Sequence, residues 1–226
     1  MKKVYLTDYP HLIKQWHPAK NVGLNPKKIK KGDIRKAWWK CPKGEDHEWE
    51  ATIANRISQV GKCPFCMNQR VCEDNNLQKC YPKLSKEWHH TKNGSLSPKD
   101  VVFGSSKKVW WQCPKGKDHE WQAIVESRSR NGRGCPFCAG KKPSETNNLF
   151  NNFPDIAKEW HPKKNGKLKP NNVTYGAPKK VWWKCSEDKR HDWKATVLNR
   201  TFHKSGCPFC TNRKFHESNS LATRYP

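Results

Sequence analysis

The 226-residue sequence is poor in acidic residues and has no long apolar run. Only 20 Asp and Glu residues stand against 45 Lys and Arg, which gives a formal net charge of +25, and hydrophobic residues make up 34% of the chain. No stretch approaches the roughly 20 apolar residues of a membrane span, and residues 1–16 carry lysines without the apolar centre of a secretory signal. We therefore expect a soluble protein of a reducing, cytoplasmic compartment, with no membrane partner.

What the sequence has instead is a threefold repeat with a period of 72 residues. The segments WWKCPKGEDHEW, WWQCPKGKDHEW and WWKCSEDKRHDW lie one period apart, and all twelve tryptophans follow the same register. A fixed period of this length indicates one structural module per unit. The predicted modules and the final segment are 1–72, 73–144, 145–216 and 217–226.

Residues 217–226 match the beginning of each preceding unit, since a Tyr-Pro or Phe-Pro pair recurs in register. We expect them to be either the start of a fourth repeat or a C-terminal cap, which terminal repeats often need. In the first case the chain is the front part of a longer protein, whose later part could carry an effector or nuclease domain.

Modules of this size need a stabilising element beyond their apolar core. About 72 residues bury only some 60–65% of the unfolded surface, which barely offsets the conformational entropy lost on folding. Each unit contains Cys-x5-His-x15-Cys-x2-Cys, and three thiolates with one imidazole form a complete tetrahedral zinc site. A disulfide framework is the alternative, but three cysteines cannot pair evenly within a unit.

We therefore predict three structural zinc ions and give no functional role to the two remaining cysteines, Cys72 and Cys80. The predicted ligands are Cys41, His47, Cys63 and Cys66 in the first unit, Cys113, His119, Cys135 and Cys138 in the second, and Cys185, His191, Cys207 and Cys210 in the third.

The residues around the predicted zinc site alternate with the period of two that is typical of a β-hairpin. The inner side carries the ligands, the apolar residues and six tryptophans that we expect to enclose the site: Trp39, Trp49, Trp111, Trp121, Trp183 and Trp193. The first tryptophan of each Trp-Trp pair points outward, where it either packs against the N-terminal segment of its own unit or stacks on a nucleic-acid base: Trp38, Trp110 and Trp182.

Several short motifs follow one another in each unit: Glu-Trp-His (Gln-Trp-His in the first), Lys-Asn, Trp-Trp before Cys, His-Glu-Trp (His-Asp-Trp in the third), an Arg after the strand, and Cys-Pro-Phe-Cys. Their order resembles the "probable zinc-ribbon" family of treble-clef-like domains, which forms tandem repeats in bacterial, phage and some eukaryotic proteins, some of them joined to nuclease-like domains. The resemblance implies small zinc-stabilised α+β modules, here three tandem treble-clef or zinc-ribbon-like repeats of 72 residues. It also implies that Cys-Pro-Phe-Cys is the second knuckle and opens a helix, and it points to nucleic-acid binding.

The charge balance predicts a polyanionic partner. Nine thiolates subtract nine charges and three Zn²⁺ ions add six, which still leaves +22. Such an excess in a soluble protein is typical of nucleic-acid binding, and we favour DNA over RNA. Part of the charge repeats with the 72-residue period, and Arg56, Arg128 and Arg200 are our strongest candidates for phosphate contact. Further candidates are Lys36, Lys108, Lys180, Arg70, Lys142 and Lys214, with Trp38, Trp110 and Trp182 for stacking.

Other readings of the repeated polar residues remain open. Some of these cations could instead cover tryptophan faces through cation–π contacts. We expect His17, His89 and His161 to be hydrogen-bonded structural residues, because each unit already has four ligands, and we expect Asn21, Asn93 and Asn165 to serve turns.

We expect no catalytic residues and no small-molecule substrate in this chain. The His-Glu dipeptide lacks the His-x-Glu spacing of zinc deaminases, and the third cysteine closes the coordination sphere. Two alternatives to DNA binding remain: a module that binds an acidic protein partner, or the non-catalytic part of a nuclease.

Overall fold

The computed structural model describes residues 4–58 and 62–220. Within them, each repeat runs from short helical turns through a two-stranded antiparallel hairpin into a short helix and then a knuckle that carries the last two cysteines. The strands are β1 (Lys36–Lys40), β2 (Glu48–Thr52), β3 (Lys108–Gln112), β4 (Glu120–Ile124), β5 (Lys180–Lys184) and β6 (Asp192–Thr196).

The α-helices are all short, at four to six residues. They are α1 (Pro10–Ile13), α2 (Ile53–Ser58), α3 (Leu77–Cys80), α4 (Pro82–Ser85), α5 (Val125–Ser129), α6 (Leu149–Asn152), α7 (Pro154–Lys158) and α8 (Val197–Thr201). Single 3₁₀ turns lie at Leu6–Asp8, Pro26–Lys28, Pro98–Asp100, Pro170–Asn172 and Glu217–Asn219.

The hairpin divides the Trp-Trp pair between an inner and an outer side, as the alternation predicts. Trp39 faces Trp49 across the first hairpin, and Trp183 faces Trp193 across the third. The second tryptophan of each pair is completely buried, and its partner on the facing strand is 3–5% exposed. In the first and third repeats these rings share one buried cluster with two of the ligand cysteines, so the prediction that the six tryptophans are buried beside the sites is confirmed.

The N-terminal segment of each repeat packs a leucine into this core, and the first repeat does so with one residue fewer. The 72-residue period places Tyr5 opposite Leu77, but Leu6 takes the equivalent place: it is fully buried and donates its amide to Ile29, as Leu77 donates to Val101. Tyr9 then closes a three-residue turn on Leu6, whereas the corresponding tyrosine of the second repeat closes a four-residue turn. A 3₁₀ turn therefore replaces an α-turn and absorbs the missing residue.

The second knuckle does not open a helix, contrary to what the family resemblance implied. Turns follow Cys-Pro-Phe-Cys in all three repeats. The helix that lies directly after the second strand of the hairpin, which is α2, α5 or α8, comes before this knuckle. The knuckle turn needs a left-handed residue, which is Asn68 (φ 56°), Gly140 (φ 66°) or Asn212 (φ 56°). Asn and Gly adopt this conformation most readily, so these residues end the turn.

The chain forms two compact units, and their division falls inside the second repeat. One unit contains Met1–Trp110 and Gln122–Gly132, and the other contains Trp111–Trp121 and Arg133–Pro226. The boundaries predicted from the period stay predictions. Among residues 4–58 and 62–220, no helix has both the length and the apolar character needed to cross a membrane.

Candidate metal centres and nucleic-acid interface

The four predicted ligands of each repeat come together in one cluster. Their ligand atoms all lie within 4.8 Å of one another. In the first repeat the Cys41 and Cys66 sulfurs are 3.8 Å apart, and Nδ1 of His47 lies 3.8 Å from Cys63 and 3.7 Å from Cys66. Zinc–sulfur bonds of about 2.3 Å in a tetrahedron place two sulfurs about 3.8 Å apart. The three clusters therefore fit three structural zinc ions.

The hairpin and the knuckle position these ligands through backbone hydrogen bonds. The amide of Cys41, just after β1, donates to the carbonyl of His47, just before β2, at 3.0 Å, and the other two repeats make the same bond. The amide of Met67 donates to Cys63 at 3.0 Å and closes the knuckle. Two hydrogen-bonded turns thus face each other and hold two ligands each, which leaves no coordination position open.

The liganding histidine is also held by an aromatic ring from the knuckle. His47 stacks on Phe65 with the ring planes 10° apart, and the second repeat has the same arrangement at 12°. A side chain at Gly44 would place its Cβ 2.7 Å from the His47 ring, so glycine allows this close approach. The third repeat has Asp188 at that position, and there the histidine is tilted by 37° against its phenylalanine.

The second ring nitrogen of each liganding histidine contacts residues that follow the knuckle, which the sequence analysis missed. Nε2 of His47 lies 3.2 Å from the sulfur of Cys72. Nε2 of His119 lies 3.0 Å from Ser144 and 2.9 Å from Thr146, and Nε2 of His191 lies 2.7 Å from Ser218. Cys72 is a free cysteine, as expected, but its thiol is buried against a zinc ligand, a contact that the sequence did not indicate. Cys80 is exposed and bonds only the carbonyl of Asp74 among the contacts of the described residues.

The last ligand cysteine of each cluster has a raised thiol pKa. Burial raises the pKa of Cys66 to about 12, and its hydrogen bonds with Cys41 and Cys63 act in the same direction. The corresponding thiols of the other repeats, Cys138 and Cys210, have pKa values raised to about 12 for the same reasons. Because zinc binds the thiolate, loading each site displaces a proton from this cysteine.

Comparison with known protein families agrees with this geometry. A family model described as "Probable Treble clef zinc finger domain" matches residues 12–69, 84–141 and 156–213, which together are more than half of the chain. The chain belongs to this family. No curated protein matches it. Each treble-clef match contains the four ligands of one cluster and ends before the residues that contact Nε2 of its histidine.

The arginines predicted to contact phosphate are instead part of each treble-clef core, and that prediction is wrong. Arg56, Arg128 and Arg200 are only 2%, 7% and 5% exposed. The guanidinium of Arg56 lies 5.1 Å from the centre of Trp39 and 4.9 Å from that of Trp49. The helix that follows the second strand points this side chain inward, between the two buried rings.

The polar partners of these arginines also lie inside the modules. Arg56 donates to the carbonyl of Lys62 and to the side chain of Gln15. Arg128 forms an ion pair with Glu87 at 2.8 Å, and Arg200 pairs with Glu159. A buried cation without such partners would cost several kcal/mol, on the order of 3–5, so these contacts explain how the arginines are tolerated.

The outward tryptophan of each pair is half-buried and is covered by a repeated lysine. The ammonium of Lys20 lies 4.5 Å from the centre of Trp38, that of Lys92 lies 4.8 Å from Trp110, and the third repeat has the same contact at 4.7 Å. The backbone of this tryptophan is also joined to the N-terminal segment of its own repeat, since its carbonyl accepts a hydrogen bond from the amide of His17, His89 or His161. Of the two roles predicted for these tryptophans, contact with the N-terminal segment is therefore present, and stacking on a base stays a prediction.

One asparagine at the same position of each repeat bonds the backbone of this tryptophan. Asn21 accepts a hydrogen bond from the amide of Trp38 at 2.8 Å and donates to its carbonyl at 2.9 Å, so its side chain acts as a strand partner. Asn93 and Asn165 do the same in the other repeats. These asparagines also begin a turn, as predicted, because their carbonyls accept hydrogen bonds from the amides three residues later, those of Leu24, Leu96 and Leu168.

The histidines of the Trp-His pairs are structural, as predicted. His17 is buried, and its Nδ1 accepts hydrogen bonds from the amides of Ala19 and Lys20 at 3.2 and 3.1 Å. His89 and His161 accept the equivalent pairs of amide bonds. Each ring closes a tight turn and lies outside the metal cluster.

The remaining predicted contact residues are on the surface. The lysines at the start of the first strand of each hairpin, Lys36, Lys108 and Lys180, are exposed, and so are the basic residues after each knuckle, Arg70, Lys142 and Lys214. Lys142 lies 5.9 Å from the centre of the Phe137 ring, a cation–π contact with a phenylalanine rather than with the tryptophans considered from the sequence.

Proposed function

We propose that the three treble-clef modules bind nucleic acid, duplex DNA in preference to RNA, and that the chain acts by binding rather than by catalysis. The observation that carries the proposal is a repeated basic surface on the outer side of each hairpin, which we call the Lys–Trp face. It consists of Lys20, Lys36, Trp38 and Lys40 in the first repeat, Lys92, Lys108 and Trp110 in the second, and Lys164, Lys180, Trp182 and Lys184 in the third.

The Lys–Trp face is accessible and carries net positive charge. The side chain of Lys36 is 66% exposed, and that of Lys20 is 45% exposed. Hydrogen bonds from Lys20 and Lys40 hold the pKa of the Glu48 carboxyl at about 2, so this carboxylate is ionised. It offsets part of the positive charge of the lysines, and the face stays positive. In the third repeat Lys194 adds a further cation above Trp182, at 4.9 Å.

The shape of the face favours duplex DNA. The outer side of a two-stranded antiparallel hairpin is a β-ribbon, and the major groove of B-form DNA is wide enough to admit one. The major groove of A-form RNA is too deep and narrow for side chains to read. Lysine ammonium groups would contact phosphates, and the partly accessible tryptophan ring offers a surface on which a base can stack.

The metal chemistry supports a non-catalytic role for the zinc ions. A catalytic zinc keeps a position open for water or substrate, whereas three cysteines and one histidine fill all four positions. The zinc ions then act only by holding the hairpin against the knuckle, and the exposed cations supply the interaction with the ligand.

Binding over a salt series tests the proposal. If each repeat neutralises two or three phosphates, affinity for random-sequence duplex DNA should fall about 10³- to 10⁵-fold between 50 and 200 mM salt. The triple variant Lys36→Glu, Lys108→Glu, Lys180→Glu should lower the slope of log affinity against log salt by about 3, at an unchanged zinc content. Duplex RNA and single-stranded DNA, measured in parallel, should bind more weakly than duplex DNA.

A matched variant controls for net charge alone. Lys31, Lys99 and Lys167 are exposed, are one per repeat and lie outside the Lys–Trp face. Their replacement by Glu gives the same net charge but should leave most of the affinity in place. Equal losses in the two triple variants would contradict a specific face. Absence of salt-dependent binding to any nucleic acid would refute the proposal and favour an acidic protein partner.

A further inference from the structure

The segment that links one repeat to the next lies against the zinc site of the repeat that precedes it. Its polar side chains reach Nε2 of the liganding histidine in all three repeats: Cys72 in the first, Ser144 and Thr146 in the second, and Ser218 in the third. By the predicted boundaries Cys72 and Ser144 are the last residues of their own repeats, whereas Thr146 and Ser218 belong to the segment that follows, and all four lie beyond the ends of the three family matches.

The chemistry of the imidazole determines which atom is the donor in these hydrogen bonds. Nδ1 of each histidine faces the thiols, at 3.5–3.8 Å, and is the atom that a zinc ion in the cluster would take. Nε2 of a neutral, metal-bound imidazole then carries the proton and donates it to the sulfur or hydroxyl of the linking segment. Such an outer partner fixes the orientation of the ring and strengthens it as a ligand.

The linking segment is fixed in this place by bonds of its own. The side chain of Asn75 accepts from the amide of Cys72 and donates to the carbonyls of Phe65 and Arg70, both within or just after the knuckle. Asn147 makes the same three bonds after the second knuckle. The residue after the first histidine partner also donates its backbone amide to the aspartate that precedes the liganding histidine. Glu73 donates to Asp46, and Glu145 donates to Asp118, both at 2.7 Å.

The same segment continues directly into the next core. Leu77 is completely buried and donates its amide to Val101, and Leu149 is buried and donates to Val173. Only four residues therefore lie between Cys72 and Leu77, and between Ser144 and Leu149, so a contact with one zinc site is followed closely by the first core residue of the following repeat. This continuity agrees with the division of the chain into compact units inside the second repeat rather than at a repeat boundary.

We infer that the linking segment after each knuckle completes the zinc site of the repeat before it, so that the metal affinity of each site depends on residues beyond the treble-clef match. Cys72, Ser144, Thr146 and Ser218 are positioning residues in this arrangement: they hold the liganding imidazole and do not bind the metal.

The repeats themselves supply conservative and disruptive substitutions for the test. In the full chain, Ser218→Ala should weaken zinc binding at the third site about 10- to 100-fold, whereas Ser218→Thr, which introduces the residue of the second repeat, should keep it near the parent value. Ser144→Ala combined with Thr146→Val should weaken zinc binding by a similar factor at the second site and leave the other two sites unchanged. Cys72→Ala should weaken the first site, and Cys72→Ser should restore it.

Zinc occupancy is measured by native mass spectrometry during titration with a chelator of known affinity. Circular dichroism in excess zinc checks that each variant folds. The Nε2-bound proton resonance of each liganding histidine, followed by NMR, identifies the site that loses its ion, and in Ser218→Ala only the His191 signal should exchange faster with water. Unchanged zinc affinity in Ser218→Ala, equal weakening of all three sites, or failure of Ser218→Thr to retain affinity would each overturn the inference.

Discussion

Replacing Arg200 with alanine should destabilise the third repeat and leave the Lys–Trp face intact. The substitution removes the ion pair with Glu159, the bond to the carbonyl of Ser205, and the contacts of the guanidinium with Trp183 and Trp193 at 5.1 and 5.3 Å. Breaking a buried pair by removing one partner costs about 3–5 kcal/mol. The remaining carboxylate is 21% exposed and can be hydrated, so we expect a loss near 3 kcal/mol.

Native-state hydrogen exchange at a fixed free zinc concentration measures this loss repeat by repeat. The backbone amides of β5 and β6 should exchange faster by about two orders of magnitude, since 1.4 kcal/mol corresponds to a factor of ten, while those of β1 and β2 keep the parent rates. Glu159→Gln is the matched control because the first repeat already places Gln15 beside Arg56. It keeps the hydrogen bond and should cost only about 1 kcal/mol.

One result would refute this reasoning. If Arg200→Ala left the exchange of the β5 and β6 amides unchanged and instead lowered DNA affinity and its salt dependence, the guanidinium would be a phosphate contact after all. In that case the buried position of the three arginines would not be their position when bound to nucleic acid.

Two further predictions concern the metal and the hairpin. Cys138→Ser should reduce the zinc content from three to two, as elemental analysis can show. A strong chelator should abolish the far-UV circular dichroism signal of the folded parent, because structural zinc contributes on the order of 10 kcal/mol to such modules, and an intact signal after chelation would contradict a structural role. Asn165→Ala removes both side-chain bonds to Trp182 and should lower the stability of the third repeat by about 1–3 kcal/mol in urea unfolding at fixed zinc, whereas the same free energy of unfolding as the parent would show that water replaces these bonds.

The metal sites could be predicted from the sequence because zinc ligation depends on residue type and spacing. Cys-x5-His-x15-Cys-x2-Cys, repeated three times, fixed both the ligands and their grouping, and the period-two alternation around it was enough to find the hairpin and its buried rings. These features are local, and each is set by chemistry within about 25 residues.

The role of the repeated arginines could not be found in this way. A residue that recurs at a fixed period occupies a recurring environment, but the period does not say whether that environment is the core or the solvent. Arg56 and Lys36 recur equally well, yet the first is 2% exposed and the second lies on the surface. The position of Arg56 in a short helix directly after an inner strand residue was the available signal, since that helix begins at the buried Ile53.

The sequence contained a weak signal for the partners of the liganding histidines, which was hard to see because the residue type at these positions differs between the repeats. The residues at the first of these positions are Cys72, Ser144 and His216, which differ but can all form hydrogen bonds, and two residues later the chain has Asp74, Thr146 and Ser218. A comparison by hydrogen-bonding capacity, rather than by residue type, would have marked both positions as candidate polar contacts. The contacts of Thr146 and Ser218 also cross the predicted repeat boundaries, so they cannot be found from one repeat taken alone.

The contact between each liganding histidine and the following segment affects how such an array can be lengthened by gene duplication. Insertion of one whole 72-residue period gives every histidine a neighbour of the right kind, wherever in the period the break occurs. A deletion that is not a whole period leaves one imidazole facing the wrong side chain. Because Cys, Ser and Thr all serve at this contact, the duplicated copies are free to diverge there, while the length of the duplicated unit is not.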